Sequence, residues 1–401
     1  MLKYFIGIDV SSFKFNVCII NKNKEIRGTY RFKYSHLSFK TLLQIFSELG
    51  NKNQIIIGIE STGNYHINIF SFLMNKGFNV LLINPLIVKK FNQAITLRKS
   101  KTDKIDALTI AKFLIFNKDK LPQNPPPKTL KHLAREREKI AKEIAKIKNR
   151  IRQIVFNIFF EFGEKYNIFS KTSLLFLLNV PSARIARILG ERKIKEIINK
   201  ISKGKGNHTP IKPKSIMHIA NNTISVEDKQ KEIILKSLIR RLFYLKKEIE
   251  ILSRELITEA INIWEKEIKI ITSIKGVGII SAINFMAEIQ DIKRFSSHKK
   301  LTAYAGIDPV IKESGKYKGK FKISKRGNPH IRRTLWNMCW GAVIYENTIG
   351  SFFRNKKEKG MKHKKAMIAT CNKLLRIIFT LLNRQTTFNS NHPHSRYVYL
   401  T

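Results

Sequence analysis

Acidic residues are scarce in this chain. Of its 401 residues only 29 are Asp or Glu, against 76 Lys and Arg, which gives a formal net charge of +47. Such an excess costs a compact fold in self-repulsion unless a polyanion neutralises it, so nucleic acid is the leading partner. Lysine also accompanies the abundant Ile, Asn and Phe of an AT-rich coding sequence, and the charge supports a nucleic-acid partner without proving one. Cysteine is scarcer still. Cys18, Cys339 and Cys371 stand far apart in sequence, with no CxxC and no Cys/His cluster at zinc-ligand spacing. That argues against a disulfide framework or a structural zinc site and fits a reduced cytosol. The N-terminus lacks a basic region followed by a long apolar run, and no apolar stretch approaches the roughly 18 residues that span a bilayer, so neither secretion nor membrane insertion is expected. No GxxxxGK(S/T) phosphate loop occurs, so no nucleotide cofactor is expected.

What is present is enough for real cores: 43% hydrophobic residues over a length that suits two or three domains. Residues 3–10, 13–20 and 25–32 read as three short β-rich runs, a meander turning at Asn21–Lys24. A helix over 37–49, an apolar strand at 55–59, a helix over 65–76 and a strand over 78–83 follow. A last helix starts at Thr102 and ends near Phe116, giving the order βββαβαβα. The Pro-rich stretch Leu121–Pro127 closes this α/β domain, residues 1–118.

Residues 119–262 form a helical middle. Ile140, Ile144, Ile147, Ile151, Ile154 and Ile158 step by coiled-coil spacing, as do Leu238, Leu242, Leu245, Ile249, Leu252 and Leu256. The two seams pair either with each other as an antiparallel arm or between subunits, and a homo-oligomer, dimer or tetramer, is expected. Between them Lys203–Pro213, basic and rich in Gly and Pro, is a linker or a nucleic-acid-contacting loop. A mainly α C-terminal domain, 263–390, and a tail, 391–401, complete the chain. It opens on Lys275, Gly276 and Gly278, whose GxG before an apolar helix suits a helix-hairpin-helix-like element that holds DNA backbone, or a plain turn before a core helix.

Four carboxylates fall at telling places: Asp9 inside the first strand, Glu60 at the end of the central apolar strand, and Asp103 with Asp106 in the first turns of the last helix. In an RNase H-like sheet these points converge. The i, i+3 spacing puts Asp103 and Asp106 on one helix face, where hard oxygen ligands can share Mg²⁺ for phosphodiester chemistry. An Asp inside a strand otherwise needs a basic partner, whereas acids at a helix N-terminus are common for dipole reasons alone. The constellation carries the inference.

GIDVSSFKFNV, GIESTGNYH and LRKSKTDKIDA resemble the motif blocks of DEDD insertion-sequence transposases with a RuvC-like domain, the family guided by bridge RNA, and the run from Ile274 to Trp336 is similar to that family's second domain. The resemblance implies that Asp9, Glu60, Asp103 and Asp106 are the metal-binding quartet and that Ser314 is the catalytic serine. It also implies a transposase cutting and rejoining DNA with Mg²⁺, and a guide RNA as a second partner. Ser314 lies in a Gly- and Lys-rich stretch, with Lys316, Lys318 and Lys320 able to hold phosphate. Lys325, Arg326, Arg332 and Arg333 are further candidates for phosphate, with Ser324 as a helix cap, and Trp336 and Trp340 are read as core. A junction-resolvase type of nuclease using water, and a non-catalytic scaffold, are the rival readings. The expected location is the cytoplasm, at the nucleoid.

Overall fold

Apolar runs rich in isoleucine build a five-stranded sheet at the start of the chain. In the computed structural model, which describes residues 2–61, 65–95, 103–117, 130–202, 211–310, 313–314, 317–318 and 322–389, the strands are β1 (Tyr4–Val10), β2 (Lys14–Asn21), β3 (Ile26–Lys33), β4 (Ile55–Glu60) and β5 (Asn79–Ile83). Their order is β3-β2-β1-β4-β5, with antiparallel β1/β2 and β2/β3 and parallel β1/β4 and β4/β5. This mixed order is compatible with an RNase H-like domain. The sheet belongs to the first of two compact units, residues 1–127 and 128–401.

Alternation along each strand supplies two apolar faces. Ile6, Ile8, Phe15 and Val17 meet Leu42 and Phe46 of α1 (His36–Glu48) and Ile69 and Leu73 of α2 (His66–Asn75). Phe5, Cys18, Ile56 and Ile83 meet Val88 of α3 (Pro85–Ile95) and Ala107, Ile110 and Leu114 of α4 (Asp103–Phe116). Helix α3 is additional to the expected order, although Asn84 accepts from the Leu86 amide and Pro85 opens the helix, the usual N-terminal signal. Thr102 and Leu121–Pro127 lie outside the described residues.

The second unit is built on two long antiparallel helices, α5 (Leu130–Ile158) and, after α6 (Phe160–Lys165), α7 (Lys171–Asn179), α8 (Ala183–Ser202) and α9 (Pro213–Asn221), α10 (Lys229–Thr272). Arg137 Nε donates to Ser253 Oγ at 2.7 Å, and Arg241 pairs with Glu143, so the directions oppose. The isoleucine seam of α5 meets the leucines of α10 inside one chain, in a core shared with α6 to α9. The arm within one chain is therefore the arrangement these contacts form. The expected boundary at residues 262/263 falls inside α10, two residues before its break in helical geometry at Trp264 (φ −133°, ψ 36°). Residues 203–210 of the basic segment and the tail 391–401 lie outside the described residues.

A second core at the other end gathers the start of α5, the end of α10, and α11 (Ile279–Ile289), α12 (His298–Ala305), α13 (Pro329–Tyr345), α14 (Asn347–Glu358) and α15 (His363–Arg384). The expectation that no stretch is long and apolar enough to span a bilayer is corrected here. Among the described residues α15 is one such helix by length and composition. Its Met367, Cys371, Leu374 and Ile378 are buried in this core, so its apolarity has a packing cause. All three cysteines are buried and free. Helices α13 and α15 bring Cys339 and Cys371 together, and the neighbouring Cys339 thiol, then burial, push the Cys371 thiol well up.

Candidate active site

The parallel register of β1 and β4 runs from Tyr4↔Ile55 to Ile8↔Ile59. One step further it sets Asp9 beside Glu60, on strands about 4.8 Å apart. Phe5, Gly7 and Asp9 alternate onto the α4 face of the sheet, as do Ile56, Gly58 and Glu60, so both carboxylates point towards α4. That helix sits very close. A Cβ on Gly7 would lie 2.0 Å from the Ala107 carbonyl oxygen, and one on Gly58 would lie 3.0 Å from Ile110 Cγ2. At the far end Lys24, in the β2–β3 turn beside the start of β1, places its Nζ 4.5 Å from the Phe116 ring centroid. The C-terminus of α4 therefore lies over the beginning of β1, and its N-terminus, with Asp106, is directed towards the Asp9 and Glu60 end.

Asp9, Glu60 and Asp106 are half-buried. The Asp103 backbone opens α4, and its side chain lies outside the described residues. Among the described residues no three Asp, Glu, His or Cys side chains already close on one ion position. The donor chemistry nevertheless fits Mg²⁺: two adjacent carboxylates at parallel strand ends, hard oxygen ligands facing a helix N-terminus that carries a third.

The predicted serine falls on a different device. Strands β6 (Pro309–Val310) and β9 (Lys322–Ile323) pair antiparallel, and between them β7 (Glu313–Ser314) pairs with β8 (Tyr317–Lys318). Ser314 is matched to Tyr317, so it sits at the tip of a hairpin. The side chains of Ser314 and Lys318, and residues Lys316 and Lys320, lie outside the described residues. The hairpin base is firmly held. Ser324 Oγ donates to Asp308 Oδ1 at 2.5 Å, and the Ser324 amide donates to the Asp308 carbonyl at 2.9 Å. Ser324 therefore caps no helix; Asn328 does, accepting from the His330 and Ile331 amides ahead of α13.

The basic candidates separate into two groups. Lys275, Lys325 and Arg326 are exposed. Arg332 instead donates to the Ala305 carbonyl at 3.1 Å, and Arg333 Nε lies 3.6 Å from Glu138 Oε1. Glu138 also accepts from His330 Nδ1 at 2.6 Å and pairs with Lys142. Burial pushes its carboxyl up, but the bonds from His330 and Lys142 outweigh that and hold it below the usual range. Gly276 (φ +85°) is set by packing, since a Cβ there would meet the Gly341 carbonyl oxygen of α13 at 2.3 Å, whereas Gly278 precedes α11 in open space. Trp336 packs against the core, and Trp340 is half exposed, which departs from the core reading. Glu288, Glu138 and Asp308 escaped sequence reasoning. The Asn328-Pro329 pair, a helix start beside two of them, was the available signal.

Comparison with known proteins places these features in context. The family model for DEDD transposases of the IS110 type matches residues 6–160, and that for transposases of the IS116/IS110/IS902 family matches residues 268–354. The chain is 20% identical over 366 residues to an uncharacterised 44.8 kDa protein of insertion element IS116 from Streptomyces clavuligerus, covering 88% of each. It is 31% identical over 159 residues to the transposase for insertion sequence element IS1111A from Coxiella burnetii, covering 35% of this chain and 41% of that one. A pilin gene-inverting protein of Moraxella bovis is 23% identical over 403 residues, covering 97% and 98%.

Proposed function

The chain belongs to the IS110 family of DEDD transposases, and from that premise we propose that it cuts and rejoins DNA through a serine ester to move its own element. The observation that carries the reading is the Asp9 and Glu60 pair at adjacent parallel strand ends, directed at the N-terminus of α4. A near neighbour named for inverting a pilin gene favours strand exchange over simple cutting. In the proposed reaction the Ser314 oxygen forms a bond to a DNA phosphorus as the bond to one strand oxygen breaks. The serine proton leaves and the freed strand end takes up a proton. Rejoining reverses this: a strand hydroxyl attacks the phosphoserine, and Ser314 recovers its proton. The number of phosphoester bonds is unchanged, so no ATP is consumed. Asp9, Glu60, Asp103 and Asp106 would hold Mg²⁺, which when bound supplies neutralisation of charge on the phosphate oxygens.

Lys316, Lys318, Lys320, Lys325 and Arg326 follow the serine in sequence and would grip the backbone. Lys275 and Gly278, before α11, are assigned to backbone contacts in the same way. A guide RNA rests on the family resemblance and on a charge of +47 that suits two nucleic acids. Assembly as a dimer or tetramer belongs to the same proposal, through surfaces other than the Ile and Leu seams, which meet within one chain.

The test uses a nicked DNA substrate with Mg²⁺, on which a strand transferase becomes trapped. The protein should become covalently attached through Ser314, and Ser314→Ala should bind without cutting. Cutting by Ser314→Ala with no adduct anywhere would replace this reading with a nuclease that uses water; an adduct on Ser324 would move the nucleophile.

A further inference from the structure

The acidic pair continues across the sheet into a basic edge. Asp9 is matched to Asn16 on β2, and Asn16 to Arg31 on β3. Glu60, Asp9, Asn16 and Arg31 thus make one row over four strands. The row lies on the α4 face, because Phe5, Cys18 and Ile20 belong to that core and alternate with Ile8, Phe15 and Val17, which belong to the other. The next row outwards on the same face pairs Lys14 with Lys33. Asn16 is buried and neutral, and it separates the acid from the base. Arg31 and Lys33 are exposed, and among the described residues neither has a carboxylate within ion-pair range.

Beside these cations the β1–β2 turn presents an aromatic ring. Ser11 closes the turn by donating from both its amide and its Oγ to the Lys14 carbonyl, each at 2.9 Å, and Phe13 at its tip is 82% exposed. Its carbonyl accepts from the Tyr34 amide, which ties the turn to the end of β3, one residue beyond the Lys14 and Lys33 row. A strand spacing of about 4.8 Å sets Arg31 roughly 10 Å from Asp9, the rise of a few nucleotides at about 3.4 Å each. Cations in a line with an exposed aromatic are the elements that hold unpaired nucleic acid, in which bases are free to stack; paired DNA offers the ring no base face.

We propose that Phe13, Lys14, Arg31 and Lys33 form a track for the DNA strand flanking the phosphate at Asp9 and Glu60, and that this stretch is bound unpaired with a base on Phe13. The proposal rests on the reading of the acidic pair as the cutting site. It adds a direction: the strand runs from the acids over Asn16 to the β3 edge.

The test uses the full chain, an oligo-dT single strand, and a duplex and an oligo-U strand of equal length. Replacing Arg31 and Lys33 together by Gln should lower the slope of log K against log salt on oligo-dT by about 1.4, at about 0.7 for each phosphate no longer neutralised. Phe13→Ala should weaken oligo-dT binding roughly tenfold and leave duplex binding unchanged. In Phe13→Trp, oligo-dT should quench the new emission, and Arg31→Lys should keep the wild-type slope; both are conservative enough to retain the fold. An unchanged slope with no quenching overturns the track. Equal weakening on duplex and single strand overturns the unpaired stretch, and weakening confined to oligo-U reassigns the surface to RNA. Cutting by Asp9→Asn would instead refute the cutting-site reading, and the quenching result would be unaffected by it.

Discussion

Arg135→Ala tests whether the C-terminal core depends on one buried carboxylate. Glu288, on α11, is 3% exposed and accepts from Arg135 Nε at 2.6 Å and Nη2 at 3.0 Å, and from Asn328 Nδ2 at 2.6 Å, with Lys131 Nζ at 3.7 Å. Burial alone would raise its pKa; the Arg135 bond, the Lys131 charge and the Asn328 bond outweigh it and keep the group below its ordinary value. Stripping one partner from a buried pair costs about 3–5 kcal/mol. Here Lys131 and Asn328 remain, and the Arg135 side chain is 33% exposed, so the lower figure of about 2–3 kcal/mol is expected. The three tryptophans, Trp264, Trp336 and Trp340, all lie in the second unit. Their emission during urea unfolding therefore reports on that unit, and at a slope of about 2 kcal/mol per molar the midpoint should fall by about 1–1.5 M. A depressed carboxylate stabilises above its unfolded pKa, near 4.5, and that contribution is lost as the pH falls through the lower folded value. The gap between wild type and Arg135→Ala should therefore be full at neutral pH and close in acid. Equal midpoints at neutral pH, or a gap that acid leaves unchanged, would refute the argument.

Asp9→Asn, Glu60→Gln and Asp106→Asn should each abolish strand cleavage while DNA affinity holds or rises, since each removes a metal ligand and a negative charge; gel assays of cutting and binding on the same samples check this, and normal turnover would sink the metal site. Gly276→Ala should destabilise the second unit by about 2 kcal/mol or more, because its φ of +85° and the 2.3 Å approach to the Gly341 oxygen both oppose a Cβ. An unchanged tryptophan unfolding midpoint would count against that packing. A maleimide should leave native Cys371 unmodified, because Cys339 and burial hold its thiol protonated, and should modify it in urea; intact mass distinguishes the two, and native labelling would show that the core opens.

The strands were legible because their signal is local. Short apolar runs rich in Ile, Val, Leu and Phe place β1, β2, β4 and β5 to within a residue or so, and Asp9 and Glu60 are then fixed by position on those strands. Helix α3 was harder. Val88, Phe91 and Ile95 recur at helical spacing and the Asn84-Pro85 pair marks the start, but Leu86 and Ile87 are exposed beside them and blur the stripe. Residues 160–226 were read only as part of the helical middle, because α6, α7 and α9 are short, a short apolar run does not distinguish helix from strand, and the longer α8 is broken at Gly190 (φ +71°). The assignment of Ser314 rests on family likeness, since a serine on a hairpin carries no periodicity at all.

Charge was the least legible feature, for a reason the ion pairs make plain. The chain has 29 acids for 76 bases, so cations far outnumber the carboxylates that could pair with them, and composition supports a polyanion partner without proving one. Which cations remain available is a question of partners, and those are distant in sequence. Arg332 and Arg333 stand in the same basic run as Lys325 and Arg326, yet the first binds the carbonyl that ends α12 and the second faces Glu138, almost two hundred positions away. Arg135 and Arg184 are likewise engaged by the buried Glu288 and Glu232. Arg31 shows the converse, an arginine whose sequence neighbours mark nothing but whose strand register leads in two steps to Asp9. On the proposed reading, the basic residues that bind DNA are to be sought on the sheet face that carries Asp9 and Glu60, and the edge of β3 lies on that face.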